Sequence, residues 1–158
     1  MFHEADDMCL DVVVPLYRLP GTVVPERYYI HLSPDLANRS FRGSETIMVV
    51  VQEPTAEVVL NAVDLVIDPE WIYAVSEQHG RMQGSCVYDN ENQRVRLVFP
   101  EQLSPGTWQV GLAFSGVLND KLHGFYRSTY KDANGEEKIL ASTQFESTDA
   151  RRAFPCWD

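Results

Sequence analysis

From Tyr28 onward, apolar and polar positions alternate in short runs instead of recurring every three or four residues. Tyr28, Ile30 and Leu32 alternate with Tyr29 and His31, and Ser33-Pro34-Asp35 then turns the chain. Period-two alternation sends successive side chains to opposite faces, the mark of a half-buried strand. Phe41–Val51 predicts a second strand, and its run Ile47-Met48-Val49-Val50-Val51 is apolar on both faces, as in a buried strand. Glu57–Asn61, Val63–Ile67, Trp71–Val75, Gly84–Tyr88, Arg94–Phe99 and Thr107–Phe114 continue the series. Asp68-Pro69, His79-Gly80, Asp89-Asn90 and Ser104-Pro105-Gly106 supply turn chemistry between them. Phe125–Lys131 and Lys138–Ser142 flank Asp132-Ala133-Asn134-Gly135, which predicts a hairpin with Asn-Gly at its tip.

Strands recurring about every 8–12 residues, with no amphipathic helical stretch, predict an all-β fold, an antiparallel β-sandwich. Residues 1–16 read as a partly ordered lead-in, and Leu19-Pro20-Gly21 breaks the chain before the first strand. With no internal linker or repeat, residues 17–158 are expected to form one β-sandwich domain.

Charge narrows the partners. The 158 residues carry 13 Lys and Arg against 23 Asp and Glu, a net charge of −10. That balance disfavours nucleic acid and anionic membrane surfaces, both of which are bound through basic side chains. It suits a cationic substrate, although solubility alone accounts for it. No apolar run nears the ~20 residues of a membrane helix, and the acidic start lacks the basic region of a secretory leader, so a cytoplasmic protein is expected. Cys9, Cys86 and Cys156 are widely spaced and predict reduced, mostly buried thiols.

Chemistry is sparse. His3, His31, His79 and His123 are scattered, and His3-Glu4 begins an HExxH zinc motif that fails at Asp7. No nucleophile elbow, phosphate-binding loop or CxxC pair is present. What stands out is Gln144-Phe145-Glu146, where alternation predicts two polar side chains on one face and an aromatic on the other. A carboxylate with a neighbouring amide can bind a cationic group, the first by charge and the second by directed hydrogen bonding. The plainer reading is a solvated strand end whose charges pair with Asp149, Arg151 and Arg152. Gly116–Tyr126 reads as a surface loop, or as a rim that orders when something docks.

Several stretches nevertheless resemble one family. Tyr17-Arg18-Leu19-Pro20, Val24-Pro25-Glu26-Arg27-Tyr28-Tyr29-Ile30-His31-Leu32, Phe41-Arg42-Gly43 with Ile47, and Leu60-Asn61-Ala62 are similar to the N-terminal strands of the M1, or gluzincin, zinc metallo-aminopeptidases. The similarity is to the puromycin-sensitive and aminopeptidase N type. Gly124-Phe125-Tyr126-Arg127-Ser128 and the long stretch from Thr143 to Asp158 resemble its two most distinctive signatures.

The resemblance implies a saddle-like β-sandwich that caps a thermolysin-like zinc domain in peptide-hydrolysing enzymes. It implies that Glu146 binds the free α-amino group of a peptide and that Gln144 shapes the pocket for its first side chain. The family's HExxH pair, distant Glu ligand, GxMEN loop and transition-state tyrosine have no counterpart here, and Asp158 falls within the last signature. The chain is therefore expected to be an N-terminal domain truncated before the catalytic domain. It is expected to hold no zinc or catalytic residue of its own, to be inactive alone, and to have the catalytic domain and peptide N-termini as partners. The alternative is a non-catalytic, aminopeptidase-like binding or scaffold module.

Overall fold

The computed structural model describes residues 18–158, so the expected lead-in lies outside the described residues. Eleven strands follow: β1 Val23–Asp35, β2 Ser40–Val51, β3 Thr55–Asn61, β4 Leu65–Ile67, β5 Tyr73–Ser76, β6 Gly80–Gln83, β7 Ser85–Asp89, β8 Arg94–Leu103, β9 Gly106–Val117, β10 Gly124–Lys131 and β11 Glu137–Gln144. All their pairings are antiparallel. The larger sheet runs β1-β2-β9-β5-β6, with β4 also on β9; β3-β8-β7 form a second sheet, and β10-β11 a hairpin. The fold is all-β and sandwich-like, as the alternation predicts.

Alternation places the core. On β2, Phe41, Ile47, Val49 and Val51 are buried while Thr46, Met48 and Val50 are half-exposed, so only one face of the strand is fully covered. Val58 and Leu60 from β3, Val95, Leu97 and Phe99 from β8, and Trp108, Val110, Leu112 and Phe114 from β9 complete one apolar cluster shared by both sheets. Burying such side chains supplies most of the drive to fold, about 1.5–3 kcal/mol each.

Turns follow their local chemistry. Asp35 accepts from the Asn38 backbone N–H at 3.0 Å, closing the β1–β2 connection. In the predicted hairpin, Asp132 Oδ1 accepts from the N–H groups of Asn134 and Glu136, and Gly135 takes φ +81°.

Two local expectations are corrected. Trp71 does not open a strand: Asp68 caps Glu70 N–H at 3.0 Å and Pro69–Trp71 forms a single 3-10 turn, with β5 starting at Tyr73. The stretch read as Gly84–Tyr88 is preceded by β6, and Gly84 separates β6 from β7.

Candidate functional site

The chain beyond β11 folds back across the sandwich. β11 ends at Gln144, opposite Gly124 in the β10 register, and both Gln144 and Glu146 are exposed while Phe145 is half-buried. The expected split of two polar residues from one aromatic is therefore present, although Glu146 lies past the strand end. Gln144 Oε1 accepts the Glu146 backbone N–H at 3.3 Å, and the Glu146–Ser147 peptide bond is cis. Asp149 N–H returns to Phe145 O at 2.9 Å and closes a turn that presents both side chains to solvent.

Aromatic packing seats this turn. Phe145 meets Phe154 edge-on with ring centroids 5.9 Å apart; Phe154 meets Tyr28 at 6.2 Å, and Tyr28 meets Trp157 at 6.5 Å. Such edge-to-face pairs add to the burial of the rings themselves. Phe145, Phe154 and Trp157 pack against the core instead of forming an open apolar patch.

Basic side chains fix the segment that follows. Arg152 Nε binds Asp149 Oδ1 and its Nη1 binds Asp64 Oδ2, both at 2.8 Å, tying the turn to the β3–β4 connection. Arg151 Nη2 binds Asp158 Oδ1 at 2.7 Å, and Asn61 Nδ2 donates to the same oxygen at 2.7 Å. Asn61 also exchanges two backbone hydrogen bonds with Cys156, of 2.8 and 3.0 Å. Beside the site, Arg127 pairs with Asp120 at 2.9 Å, and Asn119 Oδ1 accepts from Lys121 N–H at 2.7 Å, so the loop before β10 is braced internally.

One consequence is electrostatic. Arg127, Arg151 and Arg152 are engaged elsewhere, and among the described residues no cation pairs with the Glu146 carboxylate. The site is thus an exposed, unneutralised carboxylate beside an amide. Binding a cation is within its chemistry.

Metal chemistry has no such footing in the described residues. His31 lies on β1, His79 between β5 and β6, and His123 before β10, and no cluster of three or more His, Cys, Asp or Glu could hold an ion. The described donors do not fit a zinc ion. Among the described residues, no helix is long and apolar enough to cross a membrane.

Alternation gave no warning of Glu45. It occupies an inward-facing position on β2 and is only 4 % exposed. Burial pushes its carboxyl up to about 9.

Residues 24–158 match the Peptidase M1 N-terminal domain family. The chain is 44% identical over 145 residues to Aminopeptidase M1-A of Oryza sativa subsp. japonica, covering 89% of this chain and 16% of that protein. It is 43% identical over 143 residues to Aminopeptidase M1 of Arabidopsis thaliana, with the same coverage of 89% and 16%. It is 43% identical over 147 residues to Puromycin-sensitive aminopeptidase of Caenorhabditis elegans, covering 92% and 15%. The chain therefore spans about a sixth of the length of these relatives. It belongs to the peptidase M1 N-terminal domain family.

Proposed function

We propose that this chain is the substrate-capping N-terminal domain of a zinc aminopeptidase that releases N-terminal amino acids from peptides. In this reading Glu146 binds the free α-amino group and Gln144 helps shape the space for the first side chain. The observation that carries it is the exposed Glu146 carboxylate, left without a cation among the described residues in a fold of this family. A charge-assisted contact of this kind favours an ammonium group over an N-acetylated end, because acetylation removes both the charge and two donors.

Zinc, and with it water activation, would come from a catalytic domain that packs against this one. The chain alone is inactive in this reading. Free thiols at Cys86 and Cys156 support a reducing, cytoplasmic setting.

The test is a chimera in which residues 18–158 replace the matching segment of the Arabidopsis thaliana aminopeptidase. Hydrolysis of an aminoacyl-anilide is then compared with the Glu146→Gln form. Losing a charged hydrogen bond of about 2 kcal/mol should lower kcat/KM roughly thirtyfold, with a raised KM. Equal kinetics in a folded, active chimera would remove the assigned role. A folded chimera with no activity would favour a non-catalytic binding module.

A further inference from the structure

The Glu45 carboxyl is enclosed within an apolar register. In the strand register it stands between Ile30 of β1 and Leu112 of β9, with Gly43 and Ile47 on either side along β2. Both carboxyl oxygens are buried and make no hydrogen bond among the described residues. An ion placed there is strongly disfavoured, so the group is held as the neutral acid.

The groups that face it offer no relief. From β1 comes the Tyr28 phenol, itself pushed up to about 12, first by burial. From the C-terminal segment comes the Cys156 thiol, raised first by burial and then by the charges of Asp158 and Glu45. Asp158 adds a further negative charge, and the cation near it, Arg151, is already committed to that carboxylate. Leu112 of β9 carries no charge, and Asn61 of β3 is a neutral amide already bonded to Asp158. An ionised Glu45 would therefore meet further acids and, among these groups of the described residues, no uncommitted cation.

The walls around it differ in strength. β1 and β9 are laddered to β2 along its length. The C-terminal wall is held by the Asn61–Cys156 backbone pair, by Trp157 N–H donating to Tyr28 Oη at 3.1 Å, and at its end by the Asp158 carboxylate bound to Arg151 and Asn61. The wall with the fewest hydrogen bonds opens first.

We propose that Glu45 is a proton-dependent latch on this segment. Protonated, it lets Phe154–Trp157 close over β1 and β2; ionised, it drives that segment away so that water reaches the carboxylate. Phe154 also seats Phe145, so opening loosens the Gln144–Glu146 turn from below. The latch holds whether or not that turn recognises an ammonium group.

Alkylation of Cys156 tests it in the 158-residue chain. Brief iodoacetamide pulses between about pH 6.5 and 9, read by mass spectrometry, compare the Cys156 peptide with that of half-buried Cys86. If opening requires ionisation, the Cys156 to Cys86 ratio climbs by up to roughly tenfold per pH unit in the wild type. In Glu45→Gln the climb is absent. Identical profiles in the two proteins would overturn the latch. Should Glu45→Gln not fold, amide exchange in the wild type decides: the Cys156 and Trp157 amides must accelerate with pH more steeply than those of the β10–β11 hairpin, whose local opening leaves Glu45 buried, and parallel slopes overturn it.

Discussion

Arg151 and Asp158 form a forked ion pair, with Nη2 at 2.7 Å and Nε at 3.1 Å from the same carboxylate oxygen. The Arg151 N–H also donates to Oδ2 at 3.3 Å, and Nη1 donates to Gln93 Oε1 at 3.1 Å. Both side chains are largely covered, 13% and 14% exposed, so solvent screens the pair weakly. Removing the guanidinium strands the Asp158 carboxylate near the Cys156 thiol, which burial keeps uncharged. Arg151→Ala should cost about 3 kcal/mol. Arg151→Lys keeps the charge but not the fork and should cost about half as much, roughly 1.5 kcal/mol. Urea denaturation midpoints check both, and an alanine variant matching the wild type would show the pair to be idle.

Stability should fall as pH rises through the neutral range. Glu45 ordinarily titrates near 4.5 and is raised by burial to about 9 in the folded chain. Between those values the unfolded chain has lost this proton and the folded chain keeps it, so each pH unit costs about 1.4 kcal/mol. Below pH 4.5 the carboxyl is neutral in both states and the penalty is absent. Glu45→Leu removes the group and should gain about 3 kcal/mol at neutral pH while flattening the decline. Thermal melts of both proteins from about pH 5 to 9 measure this; parallel curves would mean Glu45 is hydrated in solution.

The acidic limb should come from other groups. Hydrogen bonds from Asn38 hold Asp35 below its ordinary range, and those from Asn92 do the same for Asp89. A depressed carboxyl stabilises the fold above its unfolded value, and that contribution is lost as pH falls through the folded one. Asp35→Asn and Asp89→Asn should therefore each flatten the loss of stability below about pH 4, where the ordinary carboxyl titrates. Melting temperatures at acid pH check it, and an unchanged slope in both variants would place the acid sensitivity elsewhere.

How much of this was written in local sequence differs from element to element. β8 was legible because its inward positions alternate with neighbours that stay wetter; β2 was legible as a strand, but its run Ile47–Val51 read as covered on both faces, whereas Met48 and Val50 are half-exposed. β6 was not: Gly80-Arg81-Met82-Gln83 holds one apolar residue, and its place on the sheet edge is helped by Arg81 lying 3.7 Å over the Tyr73 ring. Trp71 read as a strand because it is aromatic, but the Asp68 cap and Pro69 commit that stretch to a turn first. Gln144 and Glu146 could be singled out by residue type. What holds their turn could not, since Arg152 reaches Asp64 across 88 positions and only the tertiary fold brings them together. Glu45 was hidden for the opposite reason, a charged residue in an apolar register that reads locally as an exposed one.

Gly124 should tolerate no side chain. It adopts φ +69°, and a Cβ built there would stand 2.6 Å from Arg152 Cβ. Left-handed backbone and steric overlap act together, so Gly124→Ala should cost about 2 kcal/mol. The relief is movement of Arg152, which would weaken its bonds to Asp149 and Asp64. Gly135→Ala, with φ +81° at the hairpin tip and nothing near its Cβ, isolates the backbone share. Denaturation should rank Gly124→Ala well below Gly135→Ala; equal losses would mean that Arg152 yields freely.

Phe154 is the residue through which the candidate site senses the rest of the fold. Its ring touches Phe145 on one side and Tyr28 on the other, and among the described residues no backbone pairing links β1 directly to the turn at Glu146. Truncation to alanine should cost about 2 kcal/mol, below the usual range for a fully enclosed ring because this one is half-buried. The more telling effect is local. With Phe145 unseated, the Asp149 N–H bond to Phe145 O should open more often, and its amide should exchange faster than the β10–β11 ladder amides. Phe154→Leu, which restores most of the apolar contact, should slow that exchange again. If Asp149 exchanges at the wild-type rate in Phe154→Ala, the turn is held by Arg152 alone and the aromatic chain only fills space.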